Sequence, residues 1–407
     1  MPHSADLSTD TTHFEVGTPA YRRANFAMFL GGFACFAMLY GTQPLLPRLA
    51  DDFAISPTQV SLSVSAGTGA LACALIPASV LSDRFGRRTV MRLALALAAL
   101  TALLCPLVAS FEQLVLLRVL LGLALAGLPA AAMAYLGEEV APNAQGRAMG
   151  LYIAGNAFGG MSGRFVAAVM TDLVDWRAAL LVIGLLGAFA AIAFWRSLPE
   201  SRHFQRRSIR VGAIARDARV LMRDAGLPWL FLCAFLLMGA FVALYNFLGF
   251  RLVAPPFSLG QSAIGAIFLL YLVGTWASAW SGRLADRIGR RNVLWMVVLL
   301  MLGGVLVTLS DTLVGVVAGV ALFTFGFFAA HTTTSGWVSR RAGASRALAA
   351  AVYLSSYYLG SSVLGSSVGL AWDAGRWGAL VAVLCVVCTL VLATALHLRR
   401  IPAAAKA

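Results

Sequence analysis

The chain has 407 residues, of which 60% are hydrophobic and only 12% charged, and its formal net charge is +14. A soluble domain is nearer half apolar and a quarter charged, so this composition excludes a soluble enzyme and describes a chain that crosses a membrane many times. In such a chain the positive excess belongs to loops on one membrane face rather than to a nucleic-acid surface.

The first twenty residues are polar and lack the apolar core of a signal peptide, so 1–20 is expected to be a disordered tail. A span needs about 20 mostly apolar residues. Twelve such runs follow, at 24–47, 58–80, 89–109, 112–136, 148–170, 177–197, 228–252, 261–281, 292–310, 312–335, 347–371 and 377–398. Of the 31 basic residues, 25 fall on the tails and alternate loops and four (Arg48, Arg177, Arg251, Arg376) on the other side. That asymmetry predicts that both termini are cytoplasmic. The one long connection, 198–227, carries a run of arginines from Arg202 to Arg223, including Arg207 and Arg210. Ile214, Ala218 and Leu221 recur there at helical spacing, which suits a segment lying on the inner membrane surface.

Between the second and third runs stands Ser79-Val80-Leu81-Ser82-Asp83-Arg84-Phe85-Gly86-Arg87-Arg88. It returns between the eighth and ninth as Gly282-Arg283-Leu284-Ala285-Asp286-Arg287-Ile288-Gly289-Arg290-Arg291. Asp83 and Asp286 are 203 positions apart, half of the 407-residue chain, so the protein reads as two copies of one unit. The second copy matches, and the first closely resembles, the loop Gly-x-Leu-Ala-Asp-Arg-x-Gly-Arg-Arg of the major facilitator superfamily. The resemblance spans roughly Tyr21 to Arg400. It implies an all-α membrane protein with 12 transmembrane helices in two pseudo-symmetric six-helix bundles, 21–197 and 228–400. A cytoplasmic linker at 198–227 joins them, and 401–407 forms a second cytoplasmic tail.

The loops supply gating candidates: Asp83, Arg84, Gly86, Arg87 and Arg88, then Gly282, Asp286, Arg287, Gly289, Arg290 and Arg291. A carboxylate suits the positive end of a helix, so Asp83 is expected near the start of the eleventh span, around Leu348, and Asp286 near that of the fifth, around Ala148. Glu138 and Glu139 can pair with the first loop's arginines. The matching positions of the second half are Arg340 and Arg341, so an ion-pair cluster is expected in the first half alone.

Arg118 and Arg164 stand inside spans, each about seven residues from the outer end, where a charge is costly and a functional role is the default. Arg118 with Gly122 resembles the fourth-span motif associated in the superfamily with proton coupling. Gly155, Asn156, Gly159, Gly160, Gly163 and Arg164 resemble the fifth-span run of drug–proton antiporters, with Phe158 where a proline usually stands. Glycines so spaced let helices approach closely. Polar and aromatic groups on spans that line the superfamily's cavity add Tyr40, Gln43, Tyr245, Asn246, Tyr271, Trp276, Tyr353, Ser356 and Tyr357. His331 is the one intramembrane side chain whose ordinary charge change falls near neutrality.

No Asp or Glu lies near the middle of a span, which argues against a purely cationic substrate. The six cysteines sit in apolar runs and read as small hydrophobes; no metal spacing, phosphate loop or nucleophile–base pair is present, so neither catalytic nor metal residues are assigned. The expectation is a monomeric secondary transporter of the bacterial inner membrane, working with a small-molecule substrate, protons and the bilayer, with no cofactor beyond the proton gradient. Proton-coupled efflux of a drug-like compound or metabolite is the leading activity. Uptake of a small organic anion, or a transport-inactive sensor or scaffold, are the alternatives.

Overall fold

The computed structural model describes residues 13–206 and 211–401. The expectations for residues 1–12, for Arg207 and Arg210, and for 402–407 lie outside the described residues, as does the side chain of Ile214. Among the described residues, twelve long helices carry the fold: α1 Pro19–Tyr40, α2 Pro57–Phe85, α3 Arg87–Leu104, α4 Phe111–Glu139, α5 Gln145–Leu173, α6 Trp176–Ser197, α7 Leu227–Val253, α8 Gln261–Ile288, α9 Arg290–Val307, α10 Leu313–Arg341, α11 Arg346–Ser367 and α12 Gly369–Arg400. Eleven of them are long and apolar enough to cross a membrane. The other is α5, 29 residues long, whose apolar character is diluted by five glycines from Gly150 to Gly163, by Asn156 and by Arg164. In α12, Gly375 and Arg376 leave helical geometry, so the first turns are set off by a kink. Among the described residues the only other ordered pairing is a single parallel bridge, Phe14 with Val140.

Helices 1–6 and 7–12 form two bundles with matching internal contacts: α1 packs along α5 and α7 along α11. Lipid gives helices no hydrophobic reason to associate, so close approach of small residues has to supply the packing. A Cβ on Gly159 would run into the backbone of Phe33, and one on Gly360 into that of Phe235, the equivalent contact in the second bundle. Gly122 of α4 likewise abuts the backbone of Gly67 in α2. Between the bundles, α2 meets α11 and α5 meets α8.

One end of the molecule carries both repeated loops, the described parts of the linker and the first and last described residues; we call it the basic face. Gly86 and Gly289 turn the chain there with φ of +98° and +85°, a conformation that side chains with a Cβ rarely adopt. Residues 13–18 depart from the expected disordered tail. Phe14 is buried, donates its N–H to the Glu139 carbonyl (2.7 Å) and accepts from the Ala141 N–H (3.2 Å). The end of α4 breaks its own helix at Val140, and the freed backbone groups take Phe14 as partner. The Glu139 carboxylate, fully buried, accepts the N–H groups of Arg202 (2.9 Å) and His203 (3.0 Å), tying the start of the linker to the same point. The linker contains a helix, Val211–Arg223, against α7 and α11; Leu221 is buried against the protein rather than facing a membrane surface.

Candidate functional site

Among the described residues, the side-chain hydrogen bonds between the two bundles all lie toward the end opposite the basic face. Ser366 at the end of α11 binds Ser61 (2.8 Å) and Ser65 (2.5 Å) of α2. Ser362 donates to the Ser65 carbonyl at 2.8 Å. Two carboxylates close the rim. Asp172, at the end of α5, accepts the N–H groups of Gln261 (3.1 Å) and Ser262 (2.6 Å), which open α8. Asp373, just past α11, accepts the Thr58 hydroxyl at the start of α2 (2.6 Å). The first four N–H groups of a helix have no partner within it, so a carboxylate from the opposite bundle fits Gln261 and Ser262 well.

Just beneath this rim lies the polar centre of the interface. Arg164 is buried, 2% exposed. Its Nε donates to Gln43 Oε1 (2.6 Å) and its Nη1 to the Gly160 carbonyl one turn back (2.6 Å). Gln43 in turn donates to Asn246 Oδ1 of α7 (2.7 Å), and Asn246 donates to the Gly365 carbonyl (2.9 Å). The guanidinium also lies over three rings: Tyr40 at 4.4 Å from one bundle, Tyr271 at 5.2 Å and Phe268 at 5.3 Å from the other. Its Nη2 makes no hydrogen bond with a described residue. An arginine held on ring faces by one bundle's Gln43 and the other's α8 leaves a donor edge open to the space between bundles.

Arg118 has a different fate. It is buried to the same degree, but Nε donates to the Ser63 carbonyl (2.8 Å), Nη1 to Met38 (2.7 Å) and Nη2 to Leu39. Met38 and Leu39 belong to the last turn of α1, whose carbonyls have no helical partner of their own. The expected shared depth is met, since the carbonyls of Met38 and Leu39 and the ring of Tyr40 are consecutive. The last turn of α1 stands between the two heads, and Arg118 is enclosed in the first bundle.

In the second bundle, an aromatic wall stands opposite. Phe241 stacks on Phe327 (3.9 Å between centroids), and Tyr245 bonds Thr324 at 2.8 Å. His331 Nδ1 is 2.9 Å from the Tyr353 hydroxyl, and its ring lies 4.8 Å from that of Tyr357. Tyr357 is buried, and its ring also meets that of Tyr358 edge-on at 5.3 Å. The Tyr271 hydroxyl and Ser355 Oγ are buried without partners. Asn156 faces α1, near Gly32, rather than Gln43. Trp276 does not line the interface; it is 58% exposed, on the outer side of α8 beside Phe325.

The repeated loops differ as their sequences suggest. Arg87 is buried and bonded to Asp83, to Glu138 (3.0 Å) and to Ser82 Oγ (3.1 Å), while Arg88 pairs with Glu200 at 2.7 Å. Asp286, with 62% of its side chain exposed, meets Arg290 (3.5 Å) and Arg340 (3.3 Å) without a second acid. Neither Asp83 nor Asp286 hydrogen-bonds the opposite bundle, because the bundles are joined at the other end. Asp172, Asp373 and the serine set were missed from the sequence. A signal was available: the two acids are 201 positions apart, close to the spacing of the two loops.

Comparison with known proteins agrees with this architecture. The family model of the Major Facilitator Superfamily matches residues 28–365. The chain is 43% identical to the inner membrane transport protein YnfM of Escherichia coli over 97% of this chain and 95% of that one. It is 39% identical to the uncharacterized MFS-type transporter YybF of Bacillus subtilis, over 90% and 91%. A crystal structure of a bacterial homologue of the human lysosomal transporter Spinster, inward-facing and occupied, superposes with a TM-score of 0.75 at 16% identity, covering 94% of this chain and 95% of that one.

Proposed function

The chain belongs to the Major Facilitator Superfamily of transporters, and on that premise we propose that it moves a small organic compound by alternating access, as a proton-coupled exporter working as a monomer. The basic face is then cytoplasmic and the membrane the bacterial inner membrane, which the distribution of arginines supports. The observation that carries the reading is the Arg164 centre. It joins both bundles, lies beneath the end that is closed, and keeps an unpaired donor edge beside the unpartnered Tyr271 hydroxyl. A substrate entering from the basic face would reach these groups before the outer rim opens. Alternation requires that the rim bonds of Asp172, Asp373 and Ser366 break while new contacts form around Asp83 and Asp286.

Arg164 cannot shed its charge at physiological pH, so the proton has to travel on another group or with the substrate. The His331–Tyr353 pair in the second bundle is the candidate carrier. A second reading, uptake of a small organic anion, is favoured by the same guanidinium and by the lack of any span-centre carboxylate. Everted membrane vesicles carrying an imposed pH gradient separate the two. Export predicts substrate-dependent collapse of an inside-acid gradient for compounds bearing a hydrogen-bond acceptor, lost in Arg164→Ala. A gradient unmoved by any member of a dye, antibiotic and organic-acid panel would overturn proton-coupled export.

A further inference from the structure

The second bundle carries an open cleft of about 620 Å³ at the basic face, between the ends of α8, α9, α10 and α12. Arg290, Arg291, Arg340, Arg341 and Arg399 converge on it around Trp337, and the single acid in its lining is Asp286. The equivalent end of the first bundle is built otherwise: Asp83 and Glu138 neutralise Arg87, and Glu200 neutralises Arg88. Asp224 of the linker takes up Arg341 at 2.5 Å, which still leaves the cleft strongly positive. Positive residues on this face are ordinary for a membrane protein. Their gathering from three helices into one concavity, with so few acids, is not explained by that rule.

A second feature points to what the charge is for. Trp295, one turn into α9, lies 5.7 Å from the Arg399 guanidinium and has its indole N–H buried without a partner. Farther from the loop, α9 and α12 pack together and expose Met296, Leu299 and Leu300 on one and Leu396 on the other. At helical spacing Leu299 stands a turn beyond Trp295, and Leu396 about a turn beyond Arg399. A basic cleft therefore opens directly onto an apolar track along the same two helices.

The geometry points to a binding site for an anionic phospholipid, with the headgroup phosphate in the arginine cleft and the acyl chains along α9 and α12. Guanidinium groups match phosphate oxygens in forked geometry, and basic pockets between helix ends are suited to anionic headgroups. A free phosphate shares the headgroup chemistry but has no use for the apolar track. The site does not depend on the transported compound or its direction.

The test is native mass spectrometry of the full-length protein, purified in detergent and incubated with phosphatidylglycerol, with phosphatidylcholine, or with inorganic phosphate. Wild type is expected to retain phosphatidylglycerol in preference to phosphatidylcholine, and inorganic phosphate at equal concentration should not displace it. Arg291→Gln and Arg399→Gln should each lower retention about fivefold, the factor equivalent to about 1 kcal/mol for one basic residue near an anionic lipid surface. Arg399→Lys should restore part of it, and Arg22→Gln, on the first bundle, should not change it. Equal retention of the two lipids, or variants that bind as wild type does, would overturn the site. Displacement by inorganic phosphate would overturn the lipid assignment.

Discussion

Arg118 and Arg164 are the same residue at the same depth, on either side of one helix turn, and they do different things. Arg118 finds three backbone carbonyls within its own bundle, two of them the orphan acceptors at the end of α1. Nothing of its donor edge remains for a ligand. Arg164 finds one carbonyl, one amide side chain and three ring faces, two of which move with the opposite bundle. A buried charge is thus a structural brace or an interface group according to how completely a single rigid body saturates it. Depth alone does not distinguish the two.

The comparison breaks most sharply at Arg118. Arg118→Ala would leave three buried backbone carbonyls unpaired and should cost about 1–3 kcal/mol for each that stays unsatisfied. The amount of folded protein in membranes and the thermal unfolding temperature should both fall. Arg164→Ala should leave both near wild type and abolish transport. If the two variants were equally unstable, the distinction between brace and interface group would be lost. Arg164→Lys sharpens it further: charge stays but the planar fork goes, so transport should fall about tenfold or more, the effect of one hydrogen bond to a charged group.

The rim bonds hold the bundles around Arg164, so they offer a smaller effect. Asp172→Asn removes one of two acceptors at the start of α8 and should weaken closure by about 0.5–2 kcal/mol, as loss of a helix cap does. Thiol labelling of a cysteine placed in the outer half of the interface should rise accordingly, and rise again in the double variant with Asp373→Asn. Labelling unchanged in the double variant would show that the serine contacts alone close that end.

The smallest effect is expected at the linker. Burial pushes the Asp224 carboxyl up, but Arg341 and the N–H groups of Gly226 and Leu227 outweigh it and hold it below the usual carboxylate range. A depressed carboxyl contributes stability above its unfolded value and loses it as pH falls through its folded value. Acidification below the ordinary carboxylate range should therefore release the linker, read as faster proteolysis between 198 and 227. Asp224→Asn should show that cleavage at neutral pH and little further change with acid, while the Arg118 and Arg164 phenotypes stay independent of it.

Much of this was legible in the chain itself. Twelve apolar runs and a decapeptide repeated at half-length lead to two six-helix bundles, because a span in lipid must satisfy its backbone internally and so announces itself by length and composition. The uneven loops were legible too, since Glu138 has no acidic counterpart after α10. Helix ends were less so: residues 13–18 look like a polar tail until the broken end of α4 supplies backbone partners for Phe14. Trp276 shows the limit on faces, because its span has no strong periodicity to separate the lipid side from the interface.

Sequence by itself determined the number of spans, the twofold repeat, the basic face and the presence of two arginines where charges are costly. These follow from composition and local spacing, which act along the chain. Only the tertiary structure decided which arginine is enclosed and which bridges the bundles. It also showed that Asp172 and Asp373 close one rim, and that five arginines from distant segments share a cleft. Those outcomes depend on which carbonyls, rings and helix ends come within hydrogen-bond reach, and that is set by packing between segments far apart in the chain, from 55 residues for Arg118 and Ser63 to 315 for Thr58 and Asp373.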